Sequence, residues 1–477
     1  MTKHTKISKD VSDKIQRDYA IYFVVGITIL AAVLRFYHLG YNSLWLDEAA
    51  TYIHSLTLSG IFDYTTSVDY FNPPTFFLFE FIMIKLAGAS EIGMRFFPAV
   101  FGVLTIPAAY LMGKEFYDKY TGIVTAIIFA VSPFLIYYSQ EARAFSMLLF
   151  FCTILMYVFL KASKSNERAE WILFGLVSAA IFMTHFYGVI FVAILAVFAL
   201  IQFRSNIKPL LTGLGVGILF SLPLIILTTL LYFQRTSLGA PTYGMKGVQV
   251  IAGTFIQLLG FTGGYGGVIF LILISMGLIY LLFKIPEKAY LLAWIISATL
   301  IVSIVMSSHI PILPRYMIFL MIPFALAVAS LFQSIANVTS HSTKNYQLCL
   351  LFLLVFCTLG VPFYSIYYTT YAKEDWRGIA ENLTENANPG DVIVPLPAYI
   401  EMPLTIYYNA SEHGTTIYKA TNISELQRSM NPDPSHATYY IITYDIVAAD
   451  PSLEMLSWVE TGVPIKSQYG NVLVLKR

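Results

Sequence analysis

Eleven stretches of this chain are long enough, and poor enough in charge, to cross a lipid bilayer. A hydrocarbon core about 30 Å thick needs about 20 mostly apolar residues of helix at about 1.5 Å each. The runs lie near residues 20–37, 93–113, 120–138, 143–160, 171–185, 187–203, 209–231, 267–283, 289–307, 316–334 and 346–368. Only 12% of residues are charged and 57% are hydrophobic, against about 25% charged in a soluble domain. A water-soluble fold is excluded. The expected fold class is a polytopic α-helical membrane protein of about eleven transmembrane helices.

Two further apolar stretches stay outside that count. Residues 73–87 open with Pro73 and Pro74 and carry Glu80 and Lys85, which makes them too short and too charged to span comfortably. Residues 249–262 run into Gly263, Gly264, Gly266 and Gly267 and read as interfacial or re-entrant. Basic residues test the choice, because short cytoplasmic loops collect them. With a cytosolic amino terminus and eleven crossings, 15 of the 29 basic residues fall inside: the tail residues Lys3, Lys6, Lys9, Lys14 and Arg17, then Lys114, Lys119, Lys161, Lys164, Arg168, Arg204, Lys208, Lys284, Lys288 and Lys344. Were residues 73–87 to cross, the lysine-rich turns would face outward. Residues 1–19 therefore read as a basic cytoplasmic tail, 20–369 as a transmembrane domain with a first outer loop at 38–92, and residues 20–37 as a retained helix rather than a removed signal.

Residues 370–477 change character, with turn signals such as Asn388-Pro389-Gly390-Asp391 and short β-branched runs. The pattern predicts a small extracytoplasmic α/β domain, with a helix over Trp376–Asn388 and strands over Val392–Pro395, Tyr439–Thr443 and Asn471–Leu475. Glycosylation acceptor patterns begin at Asn382, Asn409 and Asn422, in keeping with an outside location. Cys152, Cys349 and Cys357 all fall inside apolar runs, so no disulfide or zinc framework is implied. A net charge of +1 gives no reason to expect a nucleic-acid partner.

This topology gathers the costly polar residues on the outer side. Asp47 and Glu48 follow the first crossing, Glu141 and Arg143 end the third, His185 and Tyr187 end the fifth, and Arg315 and Tyr316 start the tenth. Taken singly, each has an ordinary explanation: an interfacial helix end, a structural ion pair, an aromatic belt, a snorkelling arginine. Taken together, two acidic clusters and two arginines on one side supply a general base and cation clamps for a phosphate. Gly213, Gly215 and Gly217 fall mid-membrane and read as helix packing through small residues. No glycine loop of the nucleotide-binding kind appears in the soluble parts.

Residues 20–335 resemble the lipid-linked glycosyltransferases of the type C fold, which include protein O-mannosyltransferases and the bacterial lipid A aminoarabinose transferase. The likeness rests on Trp45-Leu46-Asp47-Glu48, Asn72-Pro73-Pro74, Met94-Arg95-Phe96-Phe97, Ser139-Gln140-Glu141-Ala142-Arg143 and His185-Phe186-Tyr187. It implies juxtamembrane helices in the first outer loop, and a sugar taken from a polyprenyl or dolichyl phosphate carrier to a protein, lipid or glycan acceptor outside the cell membrane. Asp47 matches the position of the catalytic acid of the first loop, and Glu141 the second acidic site. Many members place histidine or lysine where Asn72 stands, so this chain departs from the pattern there.

The expected chemistry makes Asp47 the general base, with Glu48 and Glu141 as further acids. Arg143, Arg315 and Arg95 hold the donor phosphate, with His185, Tyr187 and Tyr316 lining the site. The resemblance also implies inversion at the anomeric carbon and leaves open a divalent metal (Mg, Mn or Zn) held by Asp47 and Glu141. Two other classes compete: a transporter or lipid-linked-sugar flippase, and a receptor or assembly factor that uses the outer domain to bind a partner. Against transport, the ionisable clusters fall at outer helix ends and no internal repeat is visible.

Overall fold

The structure is a computed structural model that describes residues 3–67, 72–234, 244–260, 265–336, 342–370, 373–430, 435–461 and 465–477. The chain divides into two compact units. One comprises residues 1–37, 61–79 and 95–365, and the other residues 38–60, 80–94 and 366–477.

The first unit is helical, as expected of a multi-pass membrane protein. Among the described residues, eight helices are long and apolar enough to cross: Tyr19–Phe36, Glu91–Phe116, Phe145–Ser165, Lys208–Leu227, Gly266–Lys284, Pro286–Met306, Pro314–Phe332 and Tyr346–Tyr367. A ninth is added if Lys119–Val131 and Pro133–Ser139, bent by 59°, count as one. The expected eleven therefore exceed the eight or nine that pass by length. The fifth and sixth runs form helices of only 17 and 15 residues, Arg168–Thr184 and Gly188–Gln202, because the chain breaks at His185-Phe186-Tyr187. The two doubtful stretches fold as short helices. Pro74–Ala87 has 14 residues and Gln249–Gly260 has 12, about 21 and 18 Å of rise.

The bend at residues 131–133 has a definite cause. Pro133 has no N–H to give the carbonyl of Phe129, and the next turn starts a new helix capped by the Ser132 hydroxyl, which accepts from Leu135 N at 3.4 Å. The freed carbonyls need donors, since no water reaches them in hydrocarbon. Arg35 supplies them: its buried guanidinium donates to Phe129 O at 2.9 Å, Ala130 O at 2.8 Å and Ser139 Oγ at 3.2 Å. Gln140 returns the favour at the end of the first helix, where its Nε2 donates to Arg35 O at 2.9 Å and Tyr37 O at 2.8 Å. The turn that carries Glu141 and Arg143 is thereby fixed to the end of the first crossing.

Close helix packing through glycine also follows the sequence. A Cβ on Gly213 would collide with Trp171 O, and one on Gly217 would sit 2.9 Å from Gly175 O, whereas Gly215 meets nothing within 4 Å. Two of the three glycines therefore face the helix Arg168–Thr184 and the third faces away.

The second unit combines the first-loop segments with the carboxyl-terminal domain. Its sheet holds β1 (Val392–Leu396), β2 (Thr416–Ile417), β3 (Thr438–Ile442), β4 (Ile465–Tyr469) and β5 (Val472–Lys476) in the order β2-β1-β3-β5-β4. β1 runs parallel to β2 and β3, and β5 runs antiparallel to β3 and β4. The expected helix appears as Trp376–Asn386 and the three expected strands appear within a residue of their expected bounds, while β2 and β4 were not expected. Alternate residues of each strand point to opposite faces, and both faces are covered. Ile393, Tyr439 and Ile441 pack with Trp376, Ile379 and Leu383, and Val394, Tyr440 and Ile442 pack with Leu426, Met455 and Val459. Residues Leu46–Ser55 form a helix of the first loop in this unit, while Leu58–Ser67 and Pro74–Ala87 are helices whose residues are divided between the two units.

Placing valine at Gly213 should lower the thermal midpoint in detergent by several degrees, at about 1–3 kcal/mol for overpacking. Valine at Gly215 should leave it within one degree. Fluorescence-detected size exclusion after heating measures both.

Candidate functional site

Asp47 and Glu48 stand in the first turn of helix Leu46–Ser55, where carboxylates suit the positive end of the helix dipole. Glu48 reaches back to accept from Trp45 N at 3.4 Å. Consecutive helical residues point about 100° apart. Glu48 is accordingly turned inward and fully buried, while Asp47 stays half-buried.

The buried Glu48 is charge-paired with Lys373, whose Nζ lies 3.1 Å from Oε1 with both side chains nearly sealed from solvent. The approach to the helix is clamped as well. Arg377 N donates to Ser43 Oγ at 3.2 Å, and its guanidinium donates to Gly40 O at 3.1 Å and to Tyr41 O. Tyr407 OH accepts from Leu44 N at 2.7 Å and donates to Glu91 Oε1 at 3.0 Å.

Three more carboxyls belong to this neighbourhood. Glu80 is fully buried, and among the described residues neither of its oxygens has a hydrogen-bond partner. Burial, with the charge of Glu48 added, holds its pKa well above the usual carboxylate range. Burial also pushes Glu374 up to about 7, with the charges of Asp445 and Glu48 adding to the rise. Asp445, just past β3, is raised by burial and then by the charge of Asp47. Lys85, by contrast, is exposed, with its Nζ 5.3 Å from the Phe81 ring centroid.

The other expected residues belong to the helical unit. Glu141 is fully buried in the turn after Gln140, and Arg143 N donates to Glu141 O at 2.7 Å. His185, the residue that ends helix Arg168–Thr184, lies in the fields of both Arg143 and Arg315. Its Nδ1 accepts from Tyr187 N at 3.1 Å, which leaves the proton on Nε2. Tyr316 gathers the rings: its centroid is 5.5 Å from those of His185 and Tyr187 and 6.2 Å from Phe145. The Arg315 guanidinium carbon lies 5.6 Å from the Phe145 centroid, and Tyr187 OH donates to Ser303 Oγ at 3.1 Å. Five residues chosen from sequence, Arg143, His185, Tyr187, Arg315 and Tyr316, thus form one cluster of cations and aromatic rings. Arg95 is buried near the start of helix Glu91–Phe116.

Such a cluster suits an anion. Two guanidinium groups and an imidazole N–H, held by rings where water is scarce, can bind phosphate oxygens directionally. The fit to a metal is poorer: among the described residues, no group of three histidines, cysteines or acids is arranged to hold one. Sequence reasoning missed Lys373, Glu374 and Asp445, which lie in a domain read only for its fold. It also missed Arg35, a charge at the end of an apolar run that binds the carbonyls freed before Pro133.

Residues 72–228 match the family model of dolichyl-phosphate-mannose-protein mannosyltransferase, less than half of the chain. An uncharacterized protein of Aquifex aeolicus is 27% identical over 154 residues, 31% of this chain and 31% of its own length. ArnT from Cupriavidus metallidurans superposes with a TM-score of 0.61 at 12% identity, over 96% of this chain and 98% of its own. The same protein solved with undecaprenyl phosphate gives 0.54, over the same shares of both chains and at the same identity. The Archaeoglobus fulgidus oligosaccharyltransferase, solved with a tethered acceptor peptide, gives 0.58 at 14% identity, over 95% of this chain and 74% of its own. At these identities the likeness is one of fold, and that fold is the type C fold expected from the motifs.

Glu374 gives the second unit a pH signature. A carboxyl raised from 4.5 to about 7 binds more protons folded than unfolded between those values, so its contribution to stability falls as pH rises through that window. Glu374→Gln should leave the thermal midpoint unchanged near pH 4.5 and raise it by a few degrees at pH 8. A uniform shift across that range would contradict the assignment.

Proposed function

We propose that this chain, which shares the type C fold of membrane glycosyltransferases, moves a hexose-type sugar from a polyprenyl or dolichyl phosphate carrier to an acceptor hydroxyl. The reaction takes place on the extracytoplasmic side of the cell membrane. The reading is carried by the cluster of buried Arg143 and His185 with half-buried Arg315, which provides positive charge and directed donors at the end of a spanning helix. Charge at that depth is costly unless it serves a ligand or a partner.

In this reading Asp47 takes the proton of the acceptor hydroxyl as the oxygen attacks the anomeric carbon. The bond from that carbon to the phosphate oxygen breaks, its electron pair leaves with the lipid phosphate, and the configuration inverts. The leaving phosphate needs no proton, so the demands are a base for the acceptor and positive charge for the departing group. Arg143 and Arg315, with Arg95, meet the second demand, and the His185 Nε2–H adds a donor. Glu141 is the second acid. The acceptor is a protein, lipid or glycan hydroxyl, and the carboxyl-terminal domain acts in its selection.

Asp47→Asn should reduce turnover by about 10³-fold or more while the protein still inserts and folds, since the base is lost and nothing else. Arg143→Ala and Arg315→Ala should each raise the donor KM or lower kcat by about 10²-fold. Near-normal turnover in Asp47→Asn would remove Asp47 from the mechanism.

The orientation has its own test. The three native cysteines lie inside apolar runs, two of them buried, so background labelling is low. In intact cells a membrane-impermeant maleimide should modify Ser411→Cys, in the carboxyl-terminal domain, and leave Arg204→Cys untouched until the cells are opened. The reverse pattern would invert the topology.

A further inference from the structure

We infer that Lys373 is a positioning residue for Asp47: through its buried contact with Glu48 it sets the rotation of helix Leu46–Ser55 that presents the Asp47 carboxylate. The inference rests on the reading of Asp47 as the base. It departs from the sequence expectation by giving Glu48 a supporting role.

The argument begins with the pair itself. Lys373 Nζ and Glu48 Oε1 are 3.1 Å apart, with side-chain exposures of 2% and 0%. At such burial an ion pair is weak evidence for stability, because two charges have been stripped of water. What it does supply is register: the ammonium of Lys373 gives the Glu48 carboxylate a fixed place to go. Because Glu48 also accepts from Trp45 N, its side chain ties the helix start to Lys373 at a single rotation. Asp47, one residue earlier and about 100° around the helix, is then left on the half-buried side.

The surrounding groups sharpen the assignment. Glu80 is a second fully buried carboxyl near Glu48, and it has no hydrogen-bond partner among the described residues. Burial, with the charge of Glu48 added, raises its pKa, and the ammonium of Lys373 lies against Glu48. Glu374 follows Lys373 directly and lies in its field and that of Glu48, while Asp445 lies in the field of Asp47. The unit thus links five carboxyls in one electrostatic neighbourhood, in which the ammonium of Lys373 meets Glu48 and acts on Glu374. Arg377 and Tyr407 fix the strand of chain that enters the helix, so the domain grips both the approach and the first turn.

Lys373→Met alone strips the buried Glu48 charge of its lysine and endangers folding, so the deciding variant is Glu48→Gln with Lys373→Met in the full-length protein, which removes both charges together. Turnover is read as release of free lipid phosphate from the polyprenyl phosphate sugar that the wild-type protein uses. The double variant should keep its thermal midpoint within a few degrees and lose about ten-fold or more in kcat, with the donor KM within about two-fold. Amide exchange should speed up in Leu46–Ser55 and stay unchanged in the sheet. Wild-type kcat with unchanged exchange would overturn the inference and leave the base assignment standing. Asp47→Asn, measured alongside, separates the two: if it keeps turnover, the base assignment fails and the inference fails with it.

Discussion

A charge or a bare carbonyl that water cannot reach must be met by another group of the protein, and this one constraint orders both units. In the helical unit it explains why Arg35 lies where Pro133 leaves the carbonyl of Phe129 without a donor, and why Gln140 closes the end of the first crossing. Those two side chains, reaching in opposite directions, seat the turn that carries Glu141 and Arg143. The same constraint makes the gathering of Arg143, Arg315 and His185 meaningful. Cations are not brought together at that depth by packing alone.

In the second unit the constraint sorts carboxyls that look alike in sequence. Asp47 and Glu48 are neighbours in one helical turn, yet one is half-buried and the other sealed against an ammonium. Glu80, sealed and without a hydrogen-bond partner among the described residues, has its pKa raised by burial. Glu374 titrates near neutrality. In this crowd of acids Lys373 pairs with Glu48, while burial raises Glu80, Glu374 and Asp445.

The long apolar helices, the shortness of Pro74–Ala87 and the α/β nature of the last hundred residues were legible because each follows from local pattern. The helix interface at Gly213 and Gly217 was legible for the same reason. Crossings at Arg168–Thr184 and Gly188–Gln202 were harder to count, since the break at His185 shortens both below the usual length. β2, with two residues, and β4, with Lys466 and Gln468 in its five, carry too little apolar pattern to stand out. Arg143, His185, Tyr187, Arg315 and Tyr316 were found because polar groups at helix ends are conspicuous in an apolar sequence. Lys373 was not, because a lysine at the start of a polar domain looks solvated, and only the fold brings it against a glutamate from the first loop.

The central claim is chemical, that a bond between sugar and lipid phosphate is broken. The most direct test gives purified wild-type protein in lipid nanodiscs a panel of polyprenyl phosphate sugars and follows the lipid product. Transfer predicts free polyprenyl phosphate, formed in step with a glycosylated acceptor and absent without protein. Recovery of every donor intact, together with its movement between leaflets in sealed vesicles, would contradict the account and mark the protein as a flippase.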